Sequence, residues 1–140
     1  MSVRTFPAGP PLRDAAHVAL LRRLRERVSP MWRWRAEVPV GGFGDERAFD
    51  VVLERDGMRV AIEAETRLRD VQALARRLAL KLRDGRVDRL IVVVSGTRTN
   101  RLGLRNAEPV MREGFPAGSR TVLAALSAGR DPGRNGILLL

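Results

Sequence analysis

The sequence predicts an α/β domain, a mixed central sheet with helices on both faces, and three observations point there. Apolar residues alternate with charged ones from Trp32 to Val40, which reads as a strand with one buried face. Two β-branched runs, Ala48 to Leu53 and Met58 to Ala64, meet at Asp56-Gly57, the strongest hairpin signal in the chain. A helical stripe then leads straight into a continuous apolar run, Arg89 to Val94, suited to a strand covered on both sides. A hairpin followed by alternating helices and strands packs most economically as one sheet between helical layers.

The elements follow in order. Residues 1–11 carry the Pro- and Gly-containing run from Pro7 to Pro11 and read as a flexible lead-in, leaving 12–140 as a single domain. Leu12 to Val28 is a helix with His17, Leu20, Leu21, Leu24 and Val28 on one stripe, stopped by Ser29-Pro30. After the hairpin, Thr66 or Asp70 caps a helix with the stripe Leu68, Val71, Leu74, Ala75, Leu78 and Leu82, ended by Asp84-Gly85. Thr97 to Arg105 is polar and suggests no particular element, Ser119 is a candidate cap for a helix to Ala128, and Ile137 to Leu140 reads as a last short strand.

Composition narrows the function. The chain has 140 residues, 44% hydrophobic and 30% charged, the balance of an ordinary globular domain. No apolar run reaches the roughly 18 residues of a spanning helix, and the start has no secretory pattern, so no membrane partner is expected. Without cysteine there is neither a disulfide framework nor a thiolate metal site, and a cytoplasmic location is the default expectation. Lys plus Arg number 26 against 16 Asp plus Glu, a net charge of +10 carried almost wholly by Arg. Arg-rich usage also follows from a GC-rich genome, but the guanidinium fork pairs with phosphate in two places at once, and nucleic acid is the expected partner.

The chemistry concentrates in three acids. Asp50 lies inside the first hairpin strand among Phe49, Val51 and Val52, and Glu63 sits between Ile62 and Ala64 near the end of the second. A carboxylate in such a place normally has a partner, because desolvating it unpaired costs several kcal/mol. Side-chain alternation puts Glu63 and Glu65 on one side, and hairpin pairing brings Asp50 beside them. Three converging acids repel, and the common remedy is a hard divalent cation with oxygen ligands, Mg²⁺ or Mn²⁺ first.

Asp50, a turn, then Glu63-Ala64-Glu65, a helix and a buried strand resemble the PD-(D/E)XK nuclease superfamily over residues 45–95. The resemblance implies a restriction-endonuclease-like fold, with Asp50 and Glu63 as metal ligands and catalytic acids. Glu65, expected as a further metal ligand or as the catalytic group that orients the attacking water, stands where the superfamily usually has Lys, and Phe49 where its signature has Pro. The stretches 44–50, 63–67, 72–77 and 97–101 also look like recurring blocks of actinobacterial domains found C-terminal to helix-turn-helix regulators. The implied function is Mg²⁺-dependent phosphodiester hydrolysis, on DNA in preference to RNA. The competing expectation is a catalytically inactive module of the same fold that binds DNA or regulates in a transcription or defence system. A pure interaction domain, with the acids in salt bridges to nearby arginines, is the third.

Around the acids, Arg69, Gln72 and Arg76 share one flank of the helix after Glu65, and Arg98, Asn100 and Arg101 follow the buried strand at its carboxyl end. These six are the expected nucleic-acid contacts. His17 reads as a packed imidazole, and Trp32 and Trp34 read as core. Duplex cleavage needs two sites, which makes a homodimer the candidate assembly.

Overall fold

The computed structural model describes residues 11–140, with side chains from residue 15. Of the expected lead-in, residues 1–10 lie outside the described residues, and residue 11 opens the first helix. The elements in order are α1 (Pro11–Arg27), β1 (Arg33–Pro39), β2 (Ala48–Arg55), β3 (Met58–Glu65), α2 (Val71–Asp84), β4 (Arg89–Val94), α3 (Arg98–Asn106), α4 (Glu108–Gly114), α5 (Ser119–Ser127) and β5 (Gly136–Leu139). The strands lie side by side in the order β1-β2-β3-β4-β5, the first three antiparallel, the last two continuing parallel to β3. The fold is therefore α/β with a mixed sheet, as the element order implies. Among the described residues no helix is long and apolar enough to cross a membrane.

Local chemistry sets the boundaries. Asp56 and Gly57 both take positive φ, 49° and 81°, the handedness a two-residue hairpin requires. Between the two candidate caps of α2, Asp70 is used: its carboxylate accepts a hydrogen bond from the Ala73 amide at 3.0 Å. β4 has parallel neighbours on both sides, and Leu90 to Val94 are completely buried.

Two separate cores hold the layers together. On one face, Leu20 and Leu24 of α1 and Val122 and Leu126 of α5 pack on Val51, Leu53, Val60, Ile62, Ile91 and Val93. On the other, Leu74 and Leu78 of α2 and Met111 and Phe115 pack on Phe49, Val52, Ala61, Leu90, Val92 and Val94. Each fully buried aliphatic side chain contributes about 1.5 to 3 kcal/mol.

The structure departs from the sequence-based expectation in three places. The segment left without an assignment contains α3, capped by Thr97, whose hydroxyl accepts from the Asn100 amide at 3.1 Å; α4 follows, with Pro109 in its first turn. Gly118, not Ser119, is the N-cap of α5, and the Ser119 hydroxyl instead accepts from the Leu139 amide at 2.9 Å, tying α5 to β5. The third departure concerns β1, which does not keep one buried face. Trp32 and Trp34 pack in the α1/α5 core, whereas Val38 and Val40 pack in the α2 core. Between them Glu37 has φ of 52°, a left-handed residue that turns the strand over. β2 reverses at the matching place: Val51 faces the α1/α5 core and Phe49 the α2 core, with Asp50 between.

Gly136 shows how tightly β5 is held. A Cβ there would stand 2.5 Å from the Ala117 carbonyl oxygen and 2.7 Å from Val122 Cγ2. Gly136→Ala is expected to lower stability by about 1 to 3 kcal/mol through overpacking, read as a lower urea midpoint with the m-value unchanged. A midpoint equal to wild type would show that the start of β5 is free to move.

Candidate functional site

The site is built where the sheet opens. β2 and β3 pair regularly from Arg55↔Met58 to Val51↔Ile62, and the next residues along, Asp50 and Glu63, do not continue the ladder. Side chains complete what the backbone leaves unmade. The Asp50 amide donates to Glu63 Oε2 at 2.9 Å, and the Ala64 amide donates to Asp50 Oδ2 at 2.8 Å. Each acid thus satisfies a backbone donor of the opposite strand, and the two carboxylates are held at the fork by reciprocal bonds.

Glu63 and Glu65 each have a cationic neighbour, and Asp50 faces an imidazole. Lys81 of α2 donates to Glu63 Oε1 at 2.6 Å and to the Ala48 carbonyl at 2.8 Å. Side-chain exposure is only 4% for Glu63 and 12% for Lys81, so this is a buried ion pair. Removing one partner of such a pair costs about 3 to 5 kcal/mol, because the other is left charged and dry. Arg77, one turn earlier on α2, reaches Glu65 Oε2 at 3.3 Å from a solvent-exposed position, a contact of much smaller weight. From the opposite face, His17 Nε2 of α1 lies 3.3 Å from Asp50 Oδ2, so His17 is half-exposed against the acid and not packed in the core.

The electrostatics follow from burial. Desolvation pushes the Glu63 carboxyl above the usual glutamate range and the charge of Asp50 pushes it further, while the Lys81 and Asp50 N–H bonds pull it back. Glu65 is also raised, again first by burial; Arg77 lowers it, and Glu63 and Asp50 raise it.

Lys81 and Arg77 are the side chains of the candidate site that sequence reading missed. Lys81 is the single lysine of an Arg-rich chain, and at seven residues from Leu74 and three from Leu78 it falls on the sheet-facing side of α2. That spacing was the available signal.

The six expected nucleic-acid contacts separate. Asn100 is not one of them: it is 2% exposed, its Oδ1 accepts from the Leu68 amide at 3.0 Å, and its Nδ2 donates to the Thr66 and Ser95 carbonyls. It is spent joining the turn after β3 to the turn after β4. Arg98 and Arg101 are exposed in the first turn of α3, directly after that second turn, which the Ser95 amide ties to the Glu65 carbonyl at 3.2 Å. Arg69, Gln72 and Arg76 are exposed, but at 3.6 residues per turn Gln72 and Arg76 lie roughly 140° to 180° around α2 from Lys81. They face solvent on the side away from the acids.

Among the described residues no three His, Asp or Glu side chains form a ready metal-holding group. The expected convergence of Asp50, Glu63 and Glu65 on one ion is therefore not present as a preformed cage. The like-charge repulsion that suggested it is relieved by Lys81 at Glu63 and by Arg77 at Glu65. A smaller donor set does suit Mg²⁺, which keeps several waters and takes one or two carboxylates together with substrate phosphate. Asp50 and Glu63 provide two adjacent hard-oxygen groups at the fork, and Asp50 Oδ1 accepts no hydrogen bond from the described residues. No protein-family model, curated protein or solved structure matches the chain.

Because Glu63 and Glu65 have raised pKa values, the folded chain binds more protons than the unfolded chain just above the ordinary glutamate range, and these two groups make stability fall as pH rises there. Glu65→Gln removes its share, so urea-derived stability plotted against pH is expected to slope less steeply downward than wild type over that window. Superimposable slopes would contradict the burial of Glu65.

Proposed function

We propose that the fork between β2 and β3 is a site of Mg²⁺-assisted phosphodiester hydrolysis acting on DNA, on a scaffold similar to the PD-(D/E)XK nucleases. One observation carries this reading: Asp50 and Glu63 are locked together by reciprocal backbone bonds with the Lys81 ammonium 2.6 Å from Glu63. Two fixed carboxylates and an ammonium at the open end of a sheet are costly to assemble unless the charges serve chemistry.

In this reading Asp50 and Glu63 hold the ion, which when bound polarises the scissile phosphate and lowers the pKa of attacking water. Glu65, half-buried and raised in pKa, orients that water and takes its proton. Lys81 exchanges its contact with Glu63 for a phosphate oxygen and offsets charge that develops there, taking the part the superfamily gives to a lysine at position 65. Arg98 and Arg101 carry the nucleic-acid backbone toward the acids, with Arg69, Gln72 and Arg76 extending the basic surface farther out. The setting is cytoplasmic, and duplex cleavage by this single site calls for a homodimer.

A second reading is favoured by one observation, that Glu63 and Glu65 each already have their own cation. It keeps the scaffold and the basic surface but not turnover, as a DNA-binding or regulatory module.

Plasmid nicking with Mg²⁺ or Mn²⁺ separates the two. Wild type is expected to nick, and Asp50→Asn, Glu63→Gln and Lys81→Met each to lose about 100-fold or more. Equal rates in all four proteins would overturn the hydrolytic reading; salt-dependent binding without nicking would support the second. In filter binding, Arg98→Ala is expected to reduce the slope of log K against log salt by about one.

A further inference from the structure

We propose that a cavity bounded by α3, α4 and β5 binds a small amphipathic organic anion, an acyl or aryl chain ending in a carboxylate. The cavity lies between α3, α4, the start of α5 and β5 and has a volume of about 340 Å³, toward the small end of small-molecule sites, which run roughly 300 to 1,000 Å³. Its walls are apolar: Leu104, Met111, Phe115, Ile137 and Leu139. Met111 and Phe115 are core residues of the α2 face, so the cavity reaches the packed interior.

The charged groups around it are three arginines and one glutamate. Arg101, Arg105 and Arg112 line the cavity against the single carboxylate of Glu108. Arg112 is occupied by Glu108 one turn away, and Arg101 donates to the Gly96 carbonyl at 3.2 Å. Arg105 has no ion pair with the described residues, which makes it the guanidinium available to a ligand. Each half of this lining rejects a simpler occupant. A free phosphate would leave the apolar walls wet, and a neutral hydrocarbon would cover guanidinium without pairing it. An apolar chain with an anionic head satisfies both, the head held at Arg105 by a charge-assisted bond. None of the acids at the β2–β3 fork takes part.

The test is calorimetric titration of the full chain with decanoate, using decanol and acetate as controls. Decanoate is expected to saturate one site below its micelle-forming concentration, with decanol and acetate much weaker. Arg105→Glu, which reverses the charge at the head, and Leu104→Trp, which fills the half-buried wall, are each expected to weaken decanoate by about tenfold or more, with melting curves showing both folded. Asp50→Asn is expected to bind decanoate as wild type does, so a failure of the hydrolytic reading leaves this result untouched. No saturation by decanoate, equal binding of decanol, or unaltered binding by both variants would overturn the proposal.

Discussion

The ion pair between Glu63 and Lys81 is the constraint on which the rest of the site depends. It is nearly buried, so neither charge can be removed without leaving the other desolvated. It fixes the axial position of α2 over β3, because Lys81 also holds the Ala48 carbonyl at the start of β2. One ammonium thus bridges the two strands at the point where their own hydrogen bonds stop. The other contacts at the fork are weaker or more exposed and adjust around it: Arg77 at Glu65 from solvent, and His17 at Asp50 from the opposite helix layer.

The fork has its own origin in the backbone. Glu37 sits in the left-handed region, which costs a non-glycine residue about 1 kcal/mol or more. Its effect is to turn β1 over so that Trp34 and Val38, two steps of the pleat apart, serve different cores. β2 follows, reversing at Asp50, and the β2–β3 ladder ends at the next register position. A residue that a regular strand would have committed to one core is instead presented at the gap, where its carboxylate accepts from the Ala64 amide and meets His17 of α1.

Much of this was legible from residue order. The Asp-Gly hairpin, the stripe of α2 and the apolar run of β4 are strong local signals, and they led to the mixed sheet and to Asp50 beside Glu63. What stayed hidden were facts of facing and pairing. The regular alternation from Trp32 to Val40 implied one buried face because nothing in the residue types announces a left-handed Glu37. Asn100 looked like a surface contact because its role depends on two turns, after β3 and after β4, being adjacent in space. The rotation of α2 was equally hidden: Gln72 and Arg76 are exposed, Arg69 precedes the helix, and the side that meets the acids carries Arg77 and Lys81. Like-charge repulsion among the three acids is visible in the residue order, whereas its relief at Glu63 and Glu65 comes from Lys81 and Arg77, distant in sequence and signalled only by the spacing of Lys81 from Leu74 and Leu78.

If the fork is a divalent-ion site, the Lys81 to Glu63 contact must yield part of its hold when the ion enters. Crystals of the full chain soaked in Mn²⁺ and measured for anomalous scattering test this most directly. The account predicts a peak within ligand distance of both Asp50 and Glu63, with Lys81 Nζ moved away from Glu63 Oε1. An undisturbed Lys81–Glu63 pair and no peak at the fork would contradict it.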